Sequence, residues 1–78
     1  MNTNEKLKII DLLEEKGFER GKWCDHNIMA LQVDGGYIEF ETTRSYLMLG
    51  SGNVGDEGFT IDIDSVWHLT TIFLALGI

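Results

Sequence analysis

The chain has no proline, a single cysteine and few basic residues. Cys24 has no second cysteine to pair with, so a disulfide-stapled scaffold is excluded. One cysteine and two histidines also fall short of the usual tetrahedral zinc set. Six Lys and Arg stand against thirteen Asp and Glu, which disfavours a nucleic-acid-binding domain, because phosphate contacts need basic side chains.

Long hydrophobic runs are also missing. None approaches the roughly 20 residues that span a membrane, and the N-terminus mixes charged residues into its apolar stretch instead of resembling a signal peptide. A cytoplasmic protein is therefore predicted, with no cofactor and no metal. The 78 residues predict one domain, 1–78, with a thin core, since so short a chain buries only about 60% of its surface.

The net charge of −7 is not spread evenly along the chain. Residues 1–22 contain five acidic and five basic residues, which balance. The other eight acidic residues are accompanied by one basic residue, Arg44, so the whole net charge lies after residue 22. Solubility alone can explain such an excess, and so can attraction to a basic partner.

Hydrophobic spacing predicts a helix near each end of the chain. The first covers residues 4–16, with Thr3 or Asn4 as its cap and Gly17 in the left-handed conformation that closes a helix. The second begins after Asp64-Ser65 and runs to about Leu76. Because this second helix is apolar on nearly every side, it must be covered either by the first helix or by a second copy of the chain.

Alternating hydrophobicity predicts antiparallel strands between the helices. Residues 27–33 and 37–42 flank a tight turn that centres on Asp34-Gly35 or on Gly35-Gly36. Further strands cover residues 45–49 and 59–63, joined by the glycine-rich loop 50–58, and residues 18–25 form a strand or an extended entry. The predicted fold is α+β: an N-terminal helix, a meander of three to five strands, and a C-terminal helix packed on one sheet face.

Alternation also assigns side chains to the two faces of the sheet. The core-facing set is Met29, Leu31, Val33, Ile38 and Phe40, with Phe59, Ile61 and Ile63 from the last strand. The outward set is Ile28, Ala30, Gln32, Tyr37, Glu39 and Glu41, with Asp62 from the last strand.

Acidic residues on the outward face suggest mimicry of nucleic-acid phosphates, aimed at a basic site on another protein. Aromatic and Met side chains would add contact area. The predicted partner-binding residues are Tyr37, Glu39, Glu41, Tyr46, Met48, Asp56, Glu57 and Asp62. A solvated outer face without function is the other interpretation. Loop 50–58 is a connector or a further partner contact.

The last helix has more apolar residues than one sheet face needs. We expect the surplus residues Trp67, Leu74 and Ile78 to mediate self-association into a homodimer, which would also enlarge the thin core.

Catalytic residue types occur together only in Cys24-Asp25-His26. On an extended chain Cys24 and His26 point to opposite faces, which is poor geometry for a thiolate pair, and nothing in the sequence brings His68 to Cys24. No catalytic residue is therefore predicted. Asp62 and Asp64 could hold a divalent cation with a third ligand, although capping of the last helix explains Asp64 as well.

Two resemblances bear on function. The opening helix followed by Gly17-Phe18-Glu19 and a strand carrying His26 resembles the start of HicA-type mRNA interferase toxins. That resemblance implies an α-β-β-β-α, double-stranded-RNA-binding-like fold with a catalytic histidine, here His26. In size, acidity and element order the chain is also similar to small phage-encoded inhibitors of host defence, the anti-CRISPR and anti-restriction proteins.

The sequence thus favours a small acidic protein-binding module of viral type, an inhibitor that occludes a basic nucleic-acid-binding site on another protein. A HicA-like ribonuclease with His26 as its base is the first alternative. A structural or accessory subunit, acting only through protein–protein contacts, is the second.

Overall fold

A computed structural model describes residues 2–21, 25–51 and 58–78. Its elements follow the predicted order, with a helix near each end and antiparallel strands between them. In chain order they are α1 Thr3–Glu15, β1 Glu19–Arg20, β2 Ile28–Val33, β3 Gly36–Glu41, β4 Tyr46–Ser51, β5 Gly58–Asp62 and α2 Val66–Leu76. The predicted α+β fold is confirmed. The sheet has five strands, where the resemblance to HicA-type toxins implies three.

The sheet is a meander in which each strand pairs antiparallel with the next strand in sequence, in the order β1-β2-β3-β4-β5. Val33 lies opposite Gly36, so the β2–β3 turn centres on Asp34-Gly35, the first of the two predicted positions. Gly35, the second central residue of this turn, has a φ of +79°, a left-handed conformation that glycine adopts without steric cost.

The start of α1 differs from the prediction. The cap is Asn2, whose side-chain oxygen accepts a hydrogen bond of 2.8 Å from the N–H of Glu5. Thr3 and Asn4, the two predicted caps, lie inside the helix. An Asn at this position satisfies one of the N–H groups that the first turn of a helix leaves without an intrahelical partner.

The end of α1 is as predicted. Gly17 has a φ of +95°, and the N–H of Phe18 donates to the C=O of Leu13 at 3.0 Å. This left-handed closure turns the chain back, so Phe18 enters the core. Its ring lies 5.7 Å from that of Phe73 in α2, measured between centroids. The turn that follows α1 and the last helix therefore contact each other in the core.

The core lies between the two helices and one face of the sheet. Its buried hydrophobic residues are Ile9, Leu13, Phe18, Met29, Ile38, Phe40, Leu47, Ile63, Leu69 and Phe73. Of the five predicted core positions on β2 and β3, Leu31 and Val33 are only partly buried, although both point to the helix side. Neither helix packs on the opposite face of the sheet.

At the start of α2, the side-chain oxygen of Ser65 accepts a hydrogen bond of 3.0 Å from the N–H of His68. Ser65 is therefore the cap within the predicted Asp64-Ser65 pair. Gly77, with a φ of +79°, closes the helix. Neither helix in the described part of the chain has the length and apolar character needed to cross a membrane.

Candidate protein-binding surface

Most of the predicted partner-binding residues lie on the sheet face turned away from the helices, which we call the outer face. Residues directly opposite each other on paired strands share a face, and Glu39 lies opposite Met48. The described members of the predicted set, all on the outer face, are Tyr37, Glu39, Glu41, Tyr46, Met48 and Asp62. Asp56 and Glu57 lie outside the described residues.

The outer face is less open to solvent than predicted. Asp62 is exposed, but Tyr37 and Glu41 expose only 2% and 9% of their surface. The half-buried members are Glu39, Tyr46 and Met48. The expectation that the carboxylates of β3 face solvent is therefore wrong for Glu41 and correct only in part for Glu39.

Glu41 is buried because its carboxylate holds the β3–β4 turn. The N–H and the hydroxyl of Thr43 donate hydrogen bonds to it at 2.8 and 2.7 Å, and the N–H of Arg44 donates at 3.1 Å. Burial by itself raises the pKa of Glu41, but these hydrogen bonds and the charge of Arg44 outweigh it and lower the pKa below its ordinary value. Glu41 thus keeps its negative charge while serving the turn.

Glu39 occupies the centre of the outer face, between Ala30 on β2 and Met48 on β4. Burial raises the pKa of Glu39, and the negative charge of nearby Asp25 raises it further. Both effects oppose ionisation, so the negative charge of Glu39 lowers the stability of the fold. Stability alone therefore does not account for a glutamate at this position.

The side chain of Tyr37 extends across to β4, where its ring lies over Gly50. A Cβ placed on Gly50 would lie 2.2 Å from Cζ of Tyr37 and 2.5 Å from its hydroxyl oxygen. The aromatic ring therefore fills the space that a side chain at position 50 would need. Because the ring is buried in this way, Tyr37 supports the sheet and offers little surface to a partner.

Charge on the outer face has one sign. In the described strands, the outward positions contain no Lys and no Arg. The acidic residues at those positions are Glu19, Glu39, Glu41 and Asp62. Arg20 points to the opposite face, where its guanidinium lies 3.9 Å from the sulfur of Met29. Half-buried Ile28, Tyr46 and Met48 add apolar area beside the carboxylates.

On the helix side, the sheet is uncovered beyond the end of α2. An open groove of about 760 Å³ lies there, and its lining includes Phe59, Leu76 and Ile78. Phe59 points to the helix side as predicted, but it is 62% exposed, so its expected burial is wrong. The groove could not be predicted from the sequence, because alternation shows which way a side chain points and not whether another element covers it.

The surplus apolar residues of α2 divide into two groups. Trp67 and Leu74 are 74% and 72% exposed, and they share one helix face because they are seven positions apart. Ile78 instead packs against the core and lines the groove, so its expected exposure is wrong. Self-association through Trp67 and Leu74 stays a prediction.

The histidines lie in two separate settings. His26 is exposed, and its ring lies beside Gly21, whose added Cβ would be 3.0 Å from Nδ1. No described side chain is hydrogen-bonded to the imidazole, although a general base is normally oriented by such a bond. His68 Nδ1 lies 3.2 Å from Oδ1 of Asp64, an ion pair when His68 is protonated. The ribonuclease interpretation thus gains no support, and Cys24 lies outside the described residues.

Metal binding has no visible support in the described ranges. They contain no group of three His, Cys, Asp or Glu side chains placed to hold a metal ion. Asp62 and Asp64 therefore lack the third ligand, among the described residues, that the predicted cation site needs.

Comparison of the chain with protein-family models, with curated proteins and with solved structures found no match. The grounds for a functional proposal are therefore the outer face itself and the charge of the chain.

Proposed function

We propose that this chain is a small acidic protein-binding module that covers a basic, nucleic-acid-binding site on another protein. The observation that carries the proposal is the single sign of charge on the outer face. Its outward strand positions have carboxylates on β3 and β5, and no outward position of the described strands is Lys or Arg. Like charges gathered on one face repel each other and oppose folding, so such a set is more easily explained by a partner than by stability.

The spacing of these charges suits a phosphate-binding groove. Glu39 and Glu41 are two positions apart on one strand, or roughly 7 Å, and Asp62 lies two strands from Glu41, or roughly 10 Å. Glu41 contributes although it is buried, because its lowered pKa keeps the carboxylate ionised. A groove lined by Lys and Arg would be steered to this face over a distance set by the ionic strength.

Apolar contact area is present beside the charges. Tyr46 and Met48 on β4 are half-buried, and their remaining surface lies between Glu39 and Asp62. Aromatic and Met side chains are enriched at protein interfaces, whose cores are depleted in charge. The charges would raise the rate of association, and the contacts of Tyr46 and Met48 would slow the dissociation of the complex. The role is that of an inhibitor, like the phage-encoded proteins that the chain resembles in size and acidity.

The test compares two double charge reversals that change the net charge equally. Glu39→Lys with Asp62→Lys reverses the outer face and spares Glu41, whose loss would open the β3–β4 turn. Glu14→Lys with Glu15→Lys, on the exposed side of α1, is the matched control. The two variant proteins are immobilised and exposed to a nuclease-treated extract of the native host. The proteins that each variant retains are identified by mass spectrometry.

The proposal expects a retained nucleic-acid-binding protein that is lost with the outer-face pair and kept with the control pair. Added salt and added double-stranded DNA should both release it, because each competes for its basic groove. Equal loss with both pairs, or retention that is indifferent to salt and DNA, would leave the outer face as a solvated surface and contradict the proposal.

A further inference from the structure

β5 ends the sheet and leaves one edge open. Beyond the β4–β5 ladder, the N–H of Ile63 donates to the C=O of Ser45 at 2.9 Å. Backbone groups alternate in direction along an antiparallel strand, so Phe59 and Ile61 also turn their N–H and C=O groups toward β4. The residues that turn these groups away from β4 are Gly58, Thr60 and Asp62. No described strand lies beyond them.

This edge lacks the features that usually keep edge strands apart. Residues 58–61 contain no charge and no proline, and the charges that flank them in sequence are Glu57 and Asp62. Gly58, Phe59 and Thr60 are exposed, and Phe59 presents most of its ring to solvent. An open edge with exposed apolar side chains is a surface for pairing with a further strand.

We propose that a second copy of this chain pairs antiparallel with β5, with the two-fold axis at Thr60. In this register Thr60 lies opposite Thr60 of the second copy, and Gly58 lies opposite Asp62. All of these residues turn their backbone groups outward, so each pair exchanges two N–H···O bonds. The side chains also match. Phe59 lies opposite Ile61 of the second copy on the helix side, and Thr–Thr pairs are favourable on a sheet.

Other registers match less well. A two-fold axis between Thr60 and Ile61 sets outward-turned backbone groups against inward-turned ones, which forms no ladder, and an axis at Ile61 keeps a ladder but loses the Thr–Thr pair because Thr60 then lies opposite Asp62 of the second copy. A shift to Asp62 sets two carboxylates directly opposite each other, which is unfavourable. With the axis at Thr60, each Asp62 faces a glycine, so the acidic chain can associate with itself along its uncharged strip.

The groove beside β5 offers apolar surface that a second copy would bury. Phe59 and Leu76 line it, and both remain partly exposed in the single chain. The Ile61 side chain of the second copy enters from the same side of the joined sheet. A chain of 78 residues buries a smaller share of its surface than a larger domain does, so this contact adds to a thin core. Trp67 and Leu74 are not needed for it.

The inference goes beyond the proposed function and stands without it. If both hold, the two outer faces form one continuous acidic surface, because pairing through β5 leaves that face free. A groove on the partner would then meet carboxylates from two copies.

The experiment is sedimentation equilibrium of the full chain at tens of micromolar. The unmodified protein is expected at twice the monomer mass of 8.8 kDa. Thr60→Asp sets two carboxylates opposite each other at the axis and is expected at the monomer mass. Thr71→Asp adds the same charge at an exposed position of α2 and is expected to remain a dimer. Circular dichroism checks that both variants are folded.

A second variant and a second readout cover the case in which Thr60→Asp does not fold. Thr60→Pro removes the outward N–H without touching the bonds to β4, and edge strands tolerate such a proline. In the unmodified protein, the Thr60 amide should exchange its hydrogen more slowly as the protein concentration rises. The exchange rate of the Lys8 amide, in α1, should not depend on concentration.

A monomeric unmodified chain, a Thr60 amide whose exchange ignores concentration, or a dimer that survives both Thr60 variants would each overturn the proposal. So would a dimer that Trp67→Glu separates and Thr60→Asp does not, because it would place the contact on α2.

Discussion

The carboxylate of Glu5 in α1 accepts a hydrogen bond of 2.6 Å from the N–H of Val66, the first residue of α2. The two residues are 61 positions apart, so this bond joins the beginnings of the two helices. It satisfies an N–H group that the first turn of α2 leaves open, and it sets a negative charge at the positive end of the helix dipole. Ser65 satisfies the N–H of His68 in the same turn.

Replacement of Glu5 should therefore lower stability through α2 rather than through its own helix. We expect Glu5→Ala to cost about 1 kcal/mol in the free energy of unfolding, as the loss of a helix cap does. Glu14→Ala, at an exposed position of α1, should change it by less than about 0.5 kcal/mol. Urea denaturation measures both variants, and equal losses would show that the bond to Val66 is unimportant.

Large-to-small changes in the sheet should follow burial rather than face. Leu47 on β4 is completely buried, so Leu47→Ala should cost roughly 2–5 kcal/mol. Leu31 points to the same side but is partly exposed, so Leu31→Ala should cost less. Gln32→Ala, at an exposed position, should be nearly silent in the same denaturant titration. A larger loss at Leu31 than at Leu47 would contradict the burial described here.

Glu39→Gln should stabilise the protein at neutral pH. The pKa of Glu39 is raised in the fold, so the folded chain holds its proton to higher pH than the unfolded chain, whose value is near 4.5. The contribution of Glu39 to stability therefore falls as pH rises through that window, and the glutamine variant avoids this loss. Below the unfolded value the two proteins should converge. Urea titrations across pH 3–7 test this, and a destabilised variant at pH 7 would refute it.

Glu41→Gln should have the opposite effect. The pKa of Glu41 is lowered in the fold, so its carboxylate adds stability above the unfolded value of 4.5, and this is lost as pH falls through the folded value. Because the carboxylate accepts charge-assisted bonds from Thr43 and Arg44, the loss at pH 7 should be about 2 kcal/mol. The same titrations measure it, and a loss that grows in acid would contradict the role of the charge.

The ring of Tyr37 should make position 50 intolerant of any side chain. Gly50→Ala is expected to cost about 1–3 kcal/mol, because the new Cβ would overlap the ring and force it to move. In a Tyr37→Ala background the same change should cost much less. A double-mutant cycle by thermal unfolding gives this coupling, and additive losses would show that the ring and Gly50 do not share the space.

Which residues share a sheet face could be predicted from the sequence, because the period of two is a property of the extended backbone. Met29 opposite Phe40 and Leu31 opposite Ile38 follow from alternation and from the short turn at Asp34-Gly35. The closure of α1 at Gly17 was also predictable, since few other residues adopt that conformation at no cost.

Exposure could not be predicted in the same way. Phe59 is uncovered because it lies in the open groove beyond the end of α2, which Leu76 and Ile78 also line. Glu41 is buried because the β3–β4 turn directs its N–H groups back onto the carboxylate, and alternation carries no information about turns.

The meander has a consequence for how fast the chain can fold. Every strand pairs with its neighbour in sequence, so each hairpin can form by closing a short loop. Among the described residues, the docking of α1 on α2, with the bond from Val66 to Glu5 and the contact of Phe18 with Phe73, brings together residues from the two ends of the chain. Such low contact order is typical of rapid folding, with the docking of the two helices as the step that closes the longest loop.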